Sequence, residues 1–145
     1  MILYLDTSAL VKRYFKEPYS EEVTSRWQEA TEIATSSVAF AEAMAAFYRK
    51  KRESSIEDEI IRQIVDDFHE DWLSFIRIQV NEELNSYVDT ILKAHPLRGF
   101  DAIHLASAII LHEKIPADLL FMCFDQKLTA AVKAEGLQTF PTDFV

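Results

Sequence analysis

Short apolar runs and helix-patterned stretches alternate along the whole chain, and this alternation restricts the fold more than any other feature. Residues 2–5 are an apolar run that stops at Asp6-Thr7-Ser8, and residues 9–15 read as a short helix closed before Pro18. Ser20 can cap a helix running to Glu29, residues 33–35 form a brief strand, and Ser36 or Ser37 caps a long helix to about Arg52. After Ser55 come Ile56, Ile60, Ile61, Ile64, Val65, Phe68, Trp72 and Phe75, spaced by three and four in a charged segment, the pattern of an amphipathic helix. Its apolar stripe suits core packing or, as the functional alternative, a dimer or partner surface. Residues 76–80 read as a strand, Asn81 caps a helix to about Ala94, and residues 100–113 form the next helix. A strand over 119–124, a helix over 125–135 closed by Gly136 in a left-handed C-cap, and a strand over 137–140 complete the chain.

Strands separated by helices need crossover connections, which make neighbouring strands parallel and cover the sheet on both faces. The expectation is an α/β fold with a mostly parallel sheet, one domain over residues 1–145. Ligands of such sheets sit beyond the carboxyl ends of the strands, where strand order reverses. Asp6 and Asp125 stand at two such ends.

Composition removes several function classes. Hydrophobic residues make up 49% and charged residues 27%, the balance of a globular chain. No apolar stretch approaches the roughly 20 residues of a bilayer span, and no basic segment or small-residue cleavage site precedes Asp6, so a cytoplasmic location is expected. Cys123 is the only cysteine, which rules out an internal disulfide and zinc sites of paired thiolates; it reads as a small buried hydrophobe on a strand. With Gly99 and Gly136 as the only glycines, neither a P-loop nor a dinucleotide-binding turn is present.

The net charge of −9 opposes nucleic-acid binding, and without four acids singled out below it is still −5, so any RNA contact has to be local. Basic residues do cluster at Lys12, Arg13 and Lys16 and at Arg49, Lys50, Lys51 and Arg52, although each run also suits a solvated helix end.

Those four acids carry the chemistry. Asp6, Asp101 and Asp125 each stand at or near a helix start, where a carboxylate can serve as a plain cap. Glu42 resists that reading. It is the only side chain able to carry charge in the run from Val38 to Tyr48, which has no evident solvent face, and a buried, unpaired carboxylate needs a cation or a proton. Asp101 heads a second apolar helical run, with His104 one turn later on the same face. With no second histidine at ligand spacing, His104 reads as a hydrogen-bonded core residue, and His69, His95 and His112 carry no pattern. Carboxylates brought together by the sheet would bind a hard cation, magnesium or manganese, able to present water to a phosphodiester.

At this point the residues resemble a known family. Leu5-Asp-Thr-Ser-Ala-Leu10 followed by Val11-Lys-Arg-Tyr resembles the opening motif of PIN domains. Residues 36–42 (Ser-Ser-Val-Ala-Phe-Ala-Glu), 97–106 (Leu-Arg-Gly-Phe-Asp-Ala-Ile-His-Leu-Ala) and 123–128 (Cys-Phe-Asp-Gln-Lys-Leu) are similar to the family's second, third and fourth acidic motifs, in order and over nearly the whole chain. The resemblance implies a three-layer α/β/α sandwich and metal-dependent cleavage of single-stranded RNA or RNA loops, leaving 3′-hydroxyl and 5′-phosphate ends. It implies Asp6, Glu42 and Asp101 as the core metal-binding and catalytic acids, with Asp125 as the fourth, more variable one. Ser8 lies where the family often has a small hydroxyl near metal or substrate, and Lys12 and Arg98 join it as candidate substrate contacts. Many relatives place Thr or Ser two residues before the fourth acid, where this chain has Cys123, a poor hydrogen-bond donor.

Compact PIN proteins of this length resemble the VapC group, the toxin halves of toxin–antitoxin pairs. That likeness implies an antitoxin partner whose helical tail places a basic side chain in the acidic site, and a homodimeric toxin. An acidic toxin surface suits a basic tail. A haloacid dehalogenase-type phosphatase would need a second Asp at position 8, and a receiver domain would need an adjacent acidic pair before its phosphorylated Asp and a late-strand Lys; neither set is present. The remaining rival is a PIN-like module that binds RNA or protein without cleaving.

Overall fold

The computed structural model describes residues 1–141. The elements follow the order β1 (Ile2–Leu5), α1 (Thr7–Val11), α2 (Ser20–Glu29), β2 (Glu32–Ser36), α3 (Ala39–Ser54), α4 (Asp58–Trp72), β3 (Ile76–Ile78), α5 (Glu82–Ala94), α6 (Gly99–Lys114), β4 (Leu119–Met122), α7 (Gln126–Ala134) and β5 (Gln138–Phe140). All four strand pairings are parallel, in the order β3-β2-β1-β4-β5. The chain builds outward from β1 to β3 on one side and then crosses to β4 on the other. The order therefore reverses between β1 and β4, and the crevice of the sheet opens beyond Leu5 and Met122.

Alternate side chains of β1 enter two separate cores, which makes the architecture three layers. Ile2 and Tyr4 join Leu84 and Ile91 of α5, Leu105 of α6 and Leu128 and Val132 of α7. Leu3 and Leu5 join Leu10 of α1, Val23 of α2, Phe47 of α3 and Phe68 of α4. All four β1 residues are buried, as a central parallel strand requires. The stripe on α4 packs inward through Ile61, Ile64, Val65, Phe68 and Trp72, while Ile60 stays exposed.

Several boundaries differ from the sequence expectation. The helix expected over 9–15 ends at Val11, and the chain continues in turns to Tyr19, which takes a left-handed conformation at φ 74°. Ser20 does not cap α2; its hydroxyl donates to the Phe15 carbonyl and accepts from the Glu17 amide, tying that turn segment down. Neither Ser36 nor Ser37 is the residue capping α3, which follows Val38 without a side-chain cap. The helix expected to end at about Arg52 runs to Ser54 and is closed by Ser55 in a left-handed conformation. The third and fourth strands are shorter than expected, so Cys123 lies just past β4, buried, with its amide donating to Phe140. Asn81 and Gly136 act as expected, the first accepting from the Leu84 amide and the second at φ 85° after α7. Among the described residues no helix is long and apolar enough to cross a membrane.

Candidate active site

Asp6 follows β1 and caps α1: Oδ1 accepts from the Ala9 amide at 2.9 Å and from the Ser8 hydroxyl at 2.8 Å. Asp125 stands likewise between β4 and α7, with Oδ1 accepting from the Leu128 amide at 2.9 Å. The capping reading of both residues is thus correct as local structure. It does not exhaust them, because both also face a cleft of about 640 Å³ at the strand-order reversal, together with Glu42 and Asp101. Ser8, Lys12 and Arg98 line the same cleft. All seven residues singled out from the sequence therefore meet in one place.

Glu42 sits on the first turn of α3. The run around it does have a solvent face, formed by the exposed Ala41, Ala45 and Tyr48, which corrects the expectation that it would have none. Small alanines hid that face from a hydropathy reading. Glu42 is nevertheless only 26% exposed, and its Oε1 accepts from the Thr7 hydroxyl at 2.6 Å and from His104 Nε2 at 3.1 Å. Behind it, His104 is buried on α6, with Nδ1 2.9 Å from the Tyr4 hydroxyl. The Glu42 carboxylate can only accept, so His104 Nε2 carries a proton toward it, and the Tyr4 hydroxyl, which burial holds well above its ordinary pKa, pairs with Nδ1. Nε2 also lies 3.2 Å from Thr7 Oγ1. The chain from Tyr4 of β1 through His104 of α6 to Glu42 of α3 ends at the cleft.

The two inner acids respond to their surroundings in opposite ways. Burial raises the Asp6 carboxyl above its ordinary pKa, partly offset by His104, the Ala9 amide and Ser8. Burial also acts to raise Glu42, but hydrogen bonds from His104 and Thr7 outweigh it and hold the carboxyl below its usual value. Burial, with the charge of Asp6 beside it, pushes the Cys123 thiol up to about 12, and Sγ lies 3.3 Å from the Thr129 hydroxyl.

In each acid the protein's own hydrogen bonds use a single oxygen. They engage Oδ1 of Asp6, Oε1 of Glu42, Oδ2 of Asp101 (from Arg98 Nε at 3.4 Å) and Oδ1 of Asp125. Among the described residues the second oxygen of each accepts no such bond, which leaves four carboxylate oxygens available in one cleft. No three acidic, histidine or cysteine side chains among the described residues are close enough to form a ready-made metal cage. Oxygen donors spread in this way suit magnesium, which keeps several of its waters and takes only one or two carboxylates directly.

The basic wall of the cleft was only partly legible. Arg49 and Lys50, which suited a solvated helix end, line the cleft from α3 together with Lys12, and Glu17 ion-pairs with both lysines. Lys50 lies eight residues after Glu42, about 12 Å along the helix axis, and that spacing was the available signal. Thr7 and Glu17 carried none. His104 is more than a core histidine, and its place three residues after Asp101 hinted at that.

A sequence model described as PIN domain matches residues 3–133. Ribonuclease VapC45 of Mycobacterium tuberculosis is 25% identical over 140 residues, covering 97% of this chain and 95% of that protein. Ribonuclease VapC47 of the same species is 28% identical over 142 residues, covering 95% of each. Among solved structures, a toxin–antitoxin complex from Klebsiella pneumoniae superimposes with a TM-score of 0.65 at 16% identity, covering 99% of both chains. VapBC2 from Rickettsia felis, bound to a DNA fragment from the promoter, gives 0.64 at 16% identity, covering 96% of this chain and 97% of that one.

Proposed function

The chain belongs to the PIN domain family, and we propose that it is a metal-dependent endoribonuclease, the toxin of a toxin–antitoxin pair, hydrolysing phosphodiester bonds of RNA. The observation that carries this reading is the cleft at the sheet's reversal point, where Asp6, Glu42, Asp101 and Asp125 each keep one oxygen outside the protein's own hydrogen bonds. Two relatives of nearly equal length named as ribonucleases support the reaction, and the toxin–antitoxin complexes among the structural neighbours support a cognate antitoxin.

Asp6, Glu42, Asp101 and Asp125 would hold magnesium or manganese. When bound, the ion lowers the pKa of a water and stabilises charge developing on the phosphate. The chain's own residues set the geometry. The Ala9 amide and Ser8 fix the Asp6 carboxylate from one side, so that its other oxygen faces the cleft. Thr7 and His104 do the same for Glu42 and keep it ionised. Arg98, 83% exposed at the cleft mouth, is placed to meet a phosphate and to leave Asp101 when one arrives.

A panel of RNAs incubated with the protein and manganese, magnesium or excess chelator tests the reading. Cleavage that needs the metal is expected. Equal cleavage in chelator overturns the metal mechanism, and binding without cleavage assigns the chain to a PIN-like module that does not cut.

A further inference from the structure

The acids explain how the cleft could act on one phosphate but not how it would hold a polyanionic strand on a chain of net charge −9. The same cleft contains an arrangement that answers this. Glu17 lies in the turn segment between α1 and α2, and its two carboxylate oxygens go to different lysines: Oε1 is 3.4 Å from Lys12 Nζ, and Oε2 takes the Lys50 ammonium. One lysine comes from just past α1 and the other from the C-terminal part of α3. All three residues line the cleft and are largely buried, at 14% exposure for Lys12, 23% for Glu17 and 27% for Lys50.

We propose, building on the nuclease reading, that Lys12 and Lys50 form a second phosphate subsite for the backbone of a single-stranded nucleic acid beside the scissile linkage, and that Glu17 fills it in the free protein as a displaceable carboxylate. A carboxylate bridging two ammonium groups presents two anionic oxygens, as the non-bridging oxygens of a phosphodiester do. The lysine heads do not depend on Glu17 alone for their positions. Lys12 Nζ lies 4.9 Å from the centre of the Phe124 ring and Lys50 Nζ 5.6 Å from that of Phe15, so each rests on an aromatic face that remains when Glu17 leaves.

Glu17 in turn is fixed in its backbone and free in its side chain. Ser20 holds its amide and the Phe15 carbonyl, and Pro18 restricts its backbone, so displacement needs only a swing of the carboxylate. The three charged groups line the cleft, and a strand with several phosphates offers the lysines more anionic oxygens than one carboxylate does. Lys50 stands about 12 Å along α3 from Glu42, so the phosphate it holds belongs to a neighbouring linkage and not to the one being cut.

The test measures anisotropy of a labelled single-stranded oligoribonucleotide titrated with wild type, Glu17→Gln, Lys12→Gln and Lys50→Gln over a salt series. Calcium serves as the divalent ion, and gels report the integrity of the RNA. Glu17→Gln should bind up to about fivefold tighter, with a steeper salt dependence, because both lysines are released to the strand. The lysine variants should bind more weakly, with a slope shallower by about 0.7 for the lost phosphate contact. Should one lysine variant fail to fold in a thermal melt, the other carries the measurement. Glu17→Gln binding no better than wild type, or melting lower and binding worse, overturns the proposal and makes the triad a structural ion pair. Inorganic phosphate is the second probe: if it is held as tightly as the oligonucleotide, the subsite serves a free anion and the strand reading falls. A manganese cleavage assay on the same preparations separates this idea from its premise. Cleavage with unchanged binding in all three variants sinks the subsite alone, and the expected binding shifts without any cleavage sink the nuclease alone.

Discussion

His104 Nε2 lies 3.1 Å from Glu42 Oε1, and the same ring is held from behind by the Tyr4 hydroxyl at Nδ1, 2.9 Å away. A buried strand residue, a buried helix residue and a half-buried acid thus form one line, in which the first two fix the orientation of the third. Each partner satisfies a polar atom that would otherwise be costly to bury.

Replacing His104 should therefore act at a distance from the substrate. In His104→Phe the Tyr4 hydroxyl and Glu42 both lose their partner. A loss of about 1–3 kcal/mol in stability and a ten- to hundredfold fall in metal-supported cleavage are expected. Denaturant melts read the first and initial rates the second. A variant as active as wild type would return His104 to a packing role.

Asp6→Asn and Asp101→Asn should each reduce cleavage at least about a hundredfold while leaving the chain folded, because under the proposed mechanism each removes a metal ligand and not a packing group. Manganese at a hundred times its dissociation constant should raise wild-type stability by about 2.7 kcal/mol, and both variants should lose most of that gain. Thermal melts with and without manganese measure it; the same shift in all three proteins would place the metal elsewhere.

The pH dependence of the metal-free protein separates Asp6 from Glu42. Burial raises the Asp6 carboxyl, so the folded chain holds that proton after the unfolded chain has released it. Stability from this group is therefore lost as pH rises above the ordinary aspartate value of about 3.9, until the folded Asp6 has ionised. Glu42, held low by His104 and Thr7 despite burial, contributes in the other direction, and its share is lost only as pH falls below about 4.3. Subtracting the melting curve of Asp6→Asn from that of wild type isolates the first effect. The variant should gain on wild type as pH rises, and a constant difference would remove the buried-charge argument.

Cys123 should behave as a core atom. Burial and the charge of Asp6 push its thiol up to about 12, so at pH 8 the folded protein holds almost no thiolate for an alkylating reagent. Mass spectrometry should find Cys123 unmodified by iodoacetamide in native buffer and fully modified in denaturant. Rapid labelling of the folded protein would show that the packing past β4 is open.

Much of this was legible because it depends on local pattern. An apolar run ending in Asp marks a strand tip whatever lies around it, and a lone Glu among alanines and phenylalanines is conspicuous. The basic wall was not legible in the same way. The pairing of Glu17 with Lys50 joins residues 33 apart, and the segment carrying Glu17 has no periodicity to say where it folds back. Ser20 and the Ser36–Ser37 pair misled for a related reason: serine satisfies a turn or a helix end equally well, and only the neighbouring backbone groups decide which.

β1, the earliest of the described strands in the sequence, is the middle one of the sheet. β1 pairs with β2 on one side, but its other edge has no partner until Leu119–Met122 has been added, with Asp125 just behind. A ribosome must therefore complete most of the chain before the walls of the cleft face each other. Asp6 and Glu42, both made early, share the cleft with Asp101 and Asp125 only after those have been added. A truncation before β4 would remove not only Asp125 but also the strand that covers the open edge of β1.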